Sequence, residues 1–299
     1  MKTEVVIVGG SFAGLSAAMP LVRARRNVVV VDVNSPRNRF AKESHSIFCL
    51  DGKTPSEIRA TALAQLQAYP SFRLVEDTAI DVEHTKAGFS VTLASGDQYH
   101  AKKLRLAPGR TEGLADMPGG KEHWGKSVIH CPYCHGYELQ DRALGVLATS
   151  EMGFHQAAMI PDWGATTLFT QGQYKPEGEV LYHLRARGVR IEDSSITRVV
   201  GDGEHLQQVE LSDGRQIAIR GLYVAPKTIV TSPLVVKLKL ETVETVMGTH
   251  VKVDEHKESS IKGVFVAGDL SNSMQNGTFA IASGTMAGIA AHRSLIFDH

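Results

Sequence analysis

Apolar positions along the chain come in short blocks whose spacing alternates between strand-like and helix-like. Residues 4–8 read EVVIV, a β-branched run; GGSFAG follows, and then LSAAMPLVRAR, whose apolar residues recur at helical spacing. Strand, glycine turn and helix are predicted in that order, with Pro20 a point where the helix is expected to kink. Residues 27–31 (NVVVV) predict a second strand ending at Asp32, so this segment has the size and order of a parallel βαβ unit. Helical spacing returns over 54–70. Between 72 and 106, strand-like segments alternate with turn signals at Ala87-Gly88 and Ser95-Gly96-Asp97, which predicts a sheet insertion. At Leu144 the pattern restarts: a strand (LGVLAT), a helix near 153–161, a second strand (TTLFT) and further helix and strand signals to about residue 225. This is a second, weaker βαβ-like unit. GVFVAGD at 263–269 predicts a buried strand ending in Gly268-Asp269, followed by a small-residue helix over about 277–294.

At 299 residues the chain exceeds one ordinary core, so two domains are expected, with room for a cofactor cleft. Ala107-Pro108-Gly109 and Pro118-Gly119-Gly120 place a boundary near residue 112. Lys plus Arg equals Asp plus Glu at 32 each, which argues against a nucleic-acid footprint or a membrane-surface patch. The longest apolar runs are strand-sized, and the N-terminus lacks the charged-then-apolar layout of a signal peptide. A cytoplasmic protein is expected. Of the three cysteines, two form a C-x-x-C pair, which in a reducing compartment points to redox or metal chemistry; Cys49 is expected to be a buried small hydrophobe.

Two segments carry candidate chemistry. In a dinucleotide fold the first glycine makes the tight turn, the second admits pyrophosphate, and the third lets helix pack on strand. Gly9, Ser11 and Gly14 occupy those positions. Ser11 departs from the pattern, with Gly10 beside it to preserve the close approach, and Asp32 suits a ribose hydroxyl acceptor. The second segment is CPYCHGYE, from Cys131 to Glu138. Cys131 and Cys134 can close a small disulfide ring, and a neighbouring acid-base group can keep one of them a reactive thiolate. Zinc is the competing reading, with His130 and His135 nearby, but a second C-x-x-C is missing and no metal site is assigned. His135 either protonates a thiolate or is a surface histidine at a turn; Glu138 and His130 either tune the cysteines or face water.

With GGSFAG, CPYCHGYE and GVFVAGD in this order, the chain resembles the low-molecular-weight thioredoxin reductase family. It is most similar to the relatives that carry Cys-Pro-x-Cys-His-Gly, which include flavin dithiol oxidases of disulfide-containing natural products. The resemblance implies an α/β fold of two Rossmann-like, three-layer nucleotide-binding domains: a discontinuous FAD domain, residues 1–111 and 245–299, and an inserted NAD(P)H-type domain, residues 112–244, carrying the cysteine pair. It further implies that Gly9, Gly14 and Asp32 hold the ADP half of FAD, that Arg37 and Asn38 lie along the cofactor, and that Gly268 and Asp269 meet its ribityl and pyrophosphate region. Thr278, Phe279 and Ala280 would then lie near the flavin ring. Cys134 would be the thiol that meets the flavin, and Cys131 the one that exchanges with an external dithiol or disulfide. Classical relatives carry aspartate where this chain has His135, so the resemblance does not assign the proton donor. A homodimer is implied as well.

The largest departure is in the second glycine motif, which reads ATSEMGFHQA. Ala148, Ser150 and Gly153 stand at its three turn positions, and Glu151 adds negative charge where pyrophosphate would sit. The following LFTQGQYKPEG offers Lys175 alone and no arginine pair. Weak or absent NADPH binding is therefore expected. Electrons would pass from a dithiol through the pair to FAD and on to oxygen or another acceptor, or from a reduced protein such as ferredoxin through FAD to a thioredoxin-like disulfide. The alternatives are an NADPH-dependent thioredoxin-disulfide reductase and, from another class, a flavin-binding redox sensor without turnover.

Overall fold

Val5, Val6, Ile7 and Val8 are all buried, which is what a central parallel strand covered on both faces requires. The computed structural model describes residues 1–109, 111–112 in backbone only, 117–225 and 227–298. Its N-terminal elements are β1 (Lys2–Val8), α1 (Phe12–Arg23), β2 (Val28–Asp32), α2 (Pro55–Gln67), β3 (Phe72–Glu76), β4 (Ala79–Thr85), β5 (Gly88–Leu93) and β6 (Gln98–Leu106). The strand order is β3-β2-β1-β6-β5-β4. Val5 stands opposite Val28 on β2 and Lys103 on β6, both pairings parallel. β4 and β5 form an antiparallel meander onto the first half of β6; the last residues of β6 pair in parallel with the strand Val264–Val266. α2 begins where sequence demands it: Thr54 and Glu57 form a reciprocal capping box and Pro55 takes the first turn. α1 continues through Pro20 to Arg23.

The chain divides into two compact units. The first comprises Met1–Arg39, Ile47–Thr111 and Thr228–His299, the second Phe40–Ser46 and Glu112–Lys227. The return to the first unit thus falls at residue 228, ahead of the 245 read from sequence. The reason is packing: Leu234, Val235, Leu238 and Leu240 join the core cluster of Val6, Val8, Leu104 and Val266. On the opposite face of that sheet α1 packs against the C-terminal helix (Gly277–Phe297). Small residues set their separation, since a Cβ on Gly284 would lie 2.3 Å from the Ala13 carbonyl oxygen and one on Gly288 2.3 Å from that of Ala17.

The second unit has a five-stranded parallel sheet in the order Arg190–Glu192, Thr166–Phe169, Leu144–Leu147, Gly221–Val224, Val128–Ile129. A three-stranded antiparallel sheet, Ile196–Gly201, Leu206–Leu211 and Gln216–Ala218, accompanies it. Both units are α/β, the class expected. Among the described residues no helix is long and apolar enough to cross a membrane.

Candidate active site

The cysteine pair lies in the second unit, on a one-turn helix (Pro132–His135) that follows the strand Val128–Ile129. Cys131 is its N-cap with extended backbone, and Pro132 takes the first helical position, where its missing N–H is no loss. The Cys134 N–H donates to the Cys131 carbonyl at 3.3 Å and the Gly136 N–H to that of Pro132 at 2.6 Å. Both cysteines are half-buried. Gly136 is required by close approach, because a Cβ there would lie 2.7 Å from the Trp163 ring nitrogen. Trp163 also meets the edge of Tyr133, the residue between the cysteines, at 5.7 Å between centroids. Tyr133 and Tyr137 are otherwise open, 63% and 71% exposed, so the pair is flanked by an aromatic surface.

His135, directly after the pair, is held below the ordinary histidine range. Burial is the chief cause, the nearby His45 adds to it, and Glu138 opposes both. At neutral pH the ring is therefore uncharged and able to accept a proton. His45 is delivered by the segment Phe40–Ser46: its Nε2 lies 3.5 Å from Glu138 Oε1 and 3.6 Å from Glu43 Oε2, and Ser46 Oγ donates to the Tyr133 carbonyl at 2.8 Å. Thus Glu138, whose role the sequence left open, faces a histidine. The His130 carbonyl accepts from Gln156 Nε2 at 2.7 Å, fixing the strand that leads into Cys131. Among the described residues no group of three or more His, Cys, Asp or Glu side chains is arranged to hold a metal ion.

In the first unit the glycine turn shows the steric demands of a dinucleotide site. Gly9 has φ of +100° and a Cβ there would fall 2.2 Å from the Ala107 carbonyl oxygen; one on Gly14 would fall 1.7 Å from that of Gly9. Ser11 is the N-cap of α1 but makes no side-chain cap bond, so the first-turn amides face outward for an anion. Asp32 accepts from the Gly10 N–H (2.9 Å), the Asn34 N–H (3.2 Å) and Arg59 Nη2 (2.8 Å). An ionised carboxylate offers about four acceptor positions, so one remains for a hydroxyl. Arg37 Nη1 pairs with Asp269 Oδ2 at 2.8 Å, and Asn38 lies on the same short 3-10 turn as Arg37. The Gly268 N–H donates to Ser283 Oγ, whose own hydroxyl donates to the Phe279 carbonyl. Asn276 caps the C-terminal helix by accepting from the Thr278 N–H at 2.7 Å, which leaves Thr278, Phe279 and Ala280 in its first turn. The close approaches and uncapped amides fit the ADP half of FAD.

The second glycine turn is closed on itself. Ser150 Oγ accepts from the Met152 N–H and the Ser150 carbonyl from the Gly153 N–H, while the Glu151 carbonyl accepts from the Phe154 N–H. Tyr174 donates its hydroxyl to the Thr149 carbonyl at 2.7 Å, and Thr149 Oγ1 donates to the Ala225 carbonyl. Gly153 still serves packing, a Cβ there lying 2.8 Å from Ala148 Cα.

One expectation is corrected. Cys49 is exposed, with φ of +64°, beside Phe48, itself 91% exposed; it belongs to a loop, not to a core. Sequence reasoning also missed Arg59, His45, Trp163 and Tyr174, each of which reaches its partner through tertiary packing rather than through a local motif.

A profile of the pyridine nucleotide-disulphide oxidoreductase family matches residues 3–284. The chain is 31% identical to thioredoxin reductase tcpT of Claviceps purpurea (strain 20.1), over 99% of this chain and 95% of that one. It is 27% identical to thioredoxin reductase sirT of Leptosphaeria maculans, over 95% and 92%. An oxidoreductase from Agrobacterium tumefaciens of known crystal structure superposes with a TM-score of 0.95 at 42% identity, covering all of both chains.

Proposed function

The chain belongs to the pyridine nucleotide-disulphide oxidoreductase family, and we propose that it moves electrons between FAD and a Cys131–Cys134 disulfide, and between that pair and an external dithiol or disulfide, and that it does so without NADPH because Ser150 and Glu151 satisfy the amides of the second glycine turn. The family makes it a flavin-dependent disulfide oxidoreductase of thioredoxin reductase-like type. The thiol chemistry is supported by one observation: His135 directly follows Cys134 on the turn that carries the pair, where burial lowers its proton affinity, and the neighbouring Glu138 lies 3.5 Å from His45 Nε2.

In the dithiol-oxidising direction His135 accepts the proton of an incoming thiol, whose sulfur attacks Cys131. The S–S bond breaks and its electron pair goes to Cys134 as thiolate. The second substrate thiol loses its proton to solvent and attacks the substrate sulfur of the mixed disulfide, and Cys131 leaves as thiolate while the product disulfide forms. FAD, when bound, supplies the two-electron acceptor for the reduced pair. Gly9, Gly10, Ser11 and Gly14 would receive its pyrophosphate, and Asp32, steadied by Arg59, its adenosine ribose. Arg37, Asn38, Gly268 and Asp269 would line its middle, and the first turn of the C-terminal helix, Thr278 to Ala280, its ring end, where the helix dipole favours negative charge.

The aromatic surface of Tyr133, Tyr137 and Trp163 suits a small dithiol or the rim of a thioredoxin-like partner. Oxygen accepts the electrons in the dithiol-oxidising direction; in the opposite direction a reduced protein such as ferredoxin supplies them and the cysteine pair reduces an external disulfide. Two copies of the chain would form the working molecule, in the cytoplasm. The test is Cys134→Ser in holoprotein under anaerobic conditions: wild-type absorbance near 450 nm bleaches on addition of a small dithiol, and the variant's does not. Bleaching at the wild-type rate in Cys134→Ser defeats the assignment.

A further inference from the structure

The strand Gly221–Val224 runs beside the strand that leads into the cysteine pair, Tyr223 standing opposite Ile129. Tyr223 is fully buried and shares a core cluster with Ile129 and Leu139, the two residues that bracket the CPYCHGYE stretch on either side. Leu139 holds this strand close, since a Cβ on Gly221 would lie 2.6 Å from its Cδ1. The ring thus lies under the cysteine turn. Its hydroxyl is buried and has no hydrogen-bond partner among the described residues, an arrangement that proteins rarely leave unused. Burial and the negative charges of Cys131 and Glu138, both near enough to act on it, push the hydroxyl above the ordinary phenol range. It therefore keeps its proton throughout the physiological range and is available as a donor.

We propose that the Tyr223 hydroxyl is the hydrogen-bond donor that receives negative charge on the Cys131 sulfur when that sulfur leaves as a thiolate. A neutral thiol is a weak acceptor and leaves the hydroxyl without a partner; a thiolate is a strong one. The donor thus gains its bond only after the mixed disulfide has broken, when the S–Cys131 electron pair comes to rest on Cys131 and the substrate disulfide has closed. An interaction made late in the step favours release of product. The proposal rests on the reading of Cys131 as the exchanging sulfur.

The test is Tyr223→Phe in the full-length holoprotein, with Cys49→Ser in both backgrounds so that only the pair reacts. After anaerobic reduction with excess dithiothreitol and its removal, alkylation of Cys131 by iodoacetamide is followed against pH, with the modified residue located by mass spectrometry. The expected result is an upward move of the Cys131 midpoint by about one pH unit, that is, roughly tenfold slower alkylation at neutral pH. An unchanged midpoint, with or without a gain in thermal stability from deleting a buried hydroxyl, overturns the proposal. Cys134→Ser run alongside separates the two failures: bleaching lost in Cys134→Ser with no shift in Tyr223→Phe sinks the tyrosine alone, whereas bleaching retained sinks the pair.

Discussion

His135 shows how one ring can be read only in part from sequence. Its position after the second cysteine marks it as an acid-base candidate, but its charge state follows from burial and from His45, a residue ninety positions earlier that no local pattern ties to it. Because its proton affinity is lowered, it is uncharged above a midpoint that lies below the ordinary histidine value of 6.5, and it is lost as a base only as pH falls through that midpoint. The rate of flavin reduction by a dithiol is expected to have an acidic limb there, and His135→Ala is expected to remove the limb and slow the plateau by about 10²–10⁴-fold. Anaerobic stopped-flow across pH 5 to 8 checks it; an acidic limb of the same midpoint in His135→Ala assigns the proton to another group. Asp32 was legible for a different reason. It ends the buried strand that follows the glycine turn and its helix, and the structure adds what no spacing encodes, the Arg59 that holds it.

At the scale of elements, the buried strands and the long helices were readable because their periods differ and their ends carry punctuation: the capping box before α2, Gly88 and Gly96 in the hairpin turns. What periodicity could not show is which face a polar residue in a buried strand would take. Arg105 lies in β6 between Leu104 and Leu106, opposite Ile7 on β1 and Phe265 on the neighbouring strand. It is 0% exposed, and none of its three guanidinium nitrogens has a partner. Burial alone brings its proton affinity down to about 9. The sign follows: below pH 9 the folded protein carries an uncompensated buried cation, and the penalty eases as pH rises through 9 toward the ordinary arginine value. Arg105→Met keeps an unbranched stem and removes the charge, so it is expected to stabilise the fold by about 1–4 kcal/mol at neutral pH, or several degrees in Tm. The gain over wild type is expected to shrink between pH 8.5 and 10. Differential scanning fluorimetry of both proteins across that range checks both parts, and a lower Tm for Arg105→Met at neutral pH contradicts the argument.

The whole molecule contains two versions of one idea, a parallel sheet with a glycine turn at a strand end, and they differ in how the amides of the turn are satisfied. In the first unit the turn presents uncapped amides, held open by Gly9 and Gly14, where any side chain would strike backbone. In the second, Ser150 and Glu151 satisfy the corresponding amides from within the turn, and the Tyr174 hydroxyl ties down Thr149. Sequence made the first half of this contrast legible, through Ala148 and Ser150 where glycines belong. The plug by Tyr174 was not, because its partner is a backbone carbonyl reached across the sheet. Beyond the next strand Thr170 is buried and donates its hydroxyl to the Asp193 carboxylate at 2.7 Å, a negative group unfavourable to a nearby phosphate. Loss of the phosphate contacts, worth about 3 kcal/mol for two charge-assisted bonds, is a factor of roughly a hundred in occupancy. Anaerobic NADPH is therefore expected to bleach the flavin at least about a hundredfold more slowly than an equal concentration of small dithiol. Parallel stopped-flow traces with NADPH, reduced ferredoxin and the dithiol test this directly, and saturation by micromolar NADPH would mean that the turn opens when the nucleotide arrives.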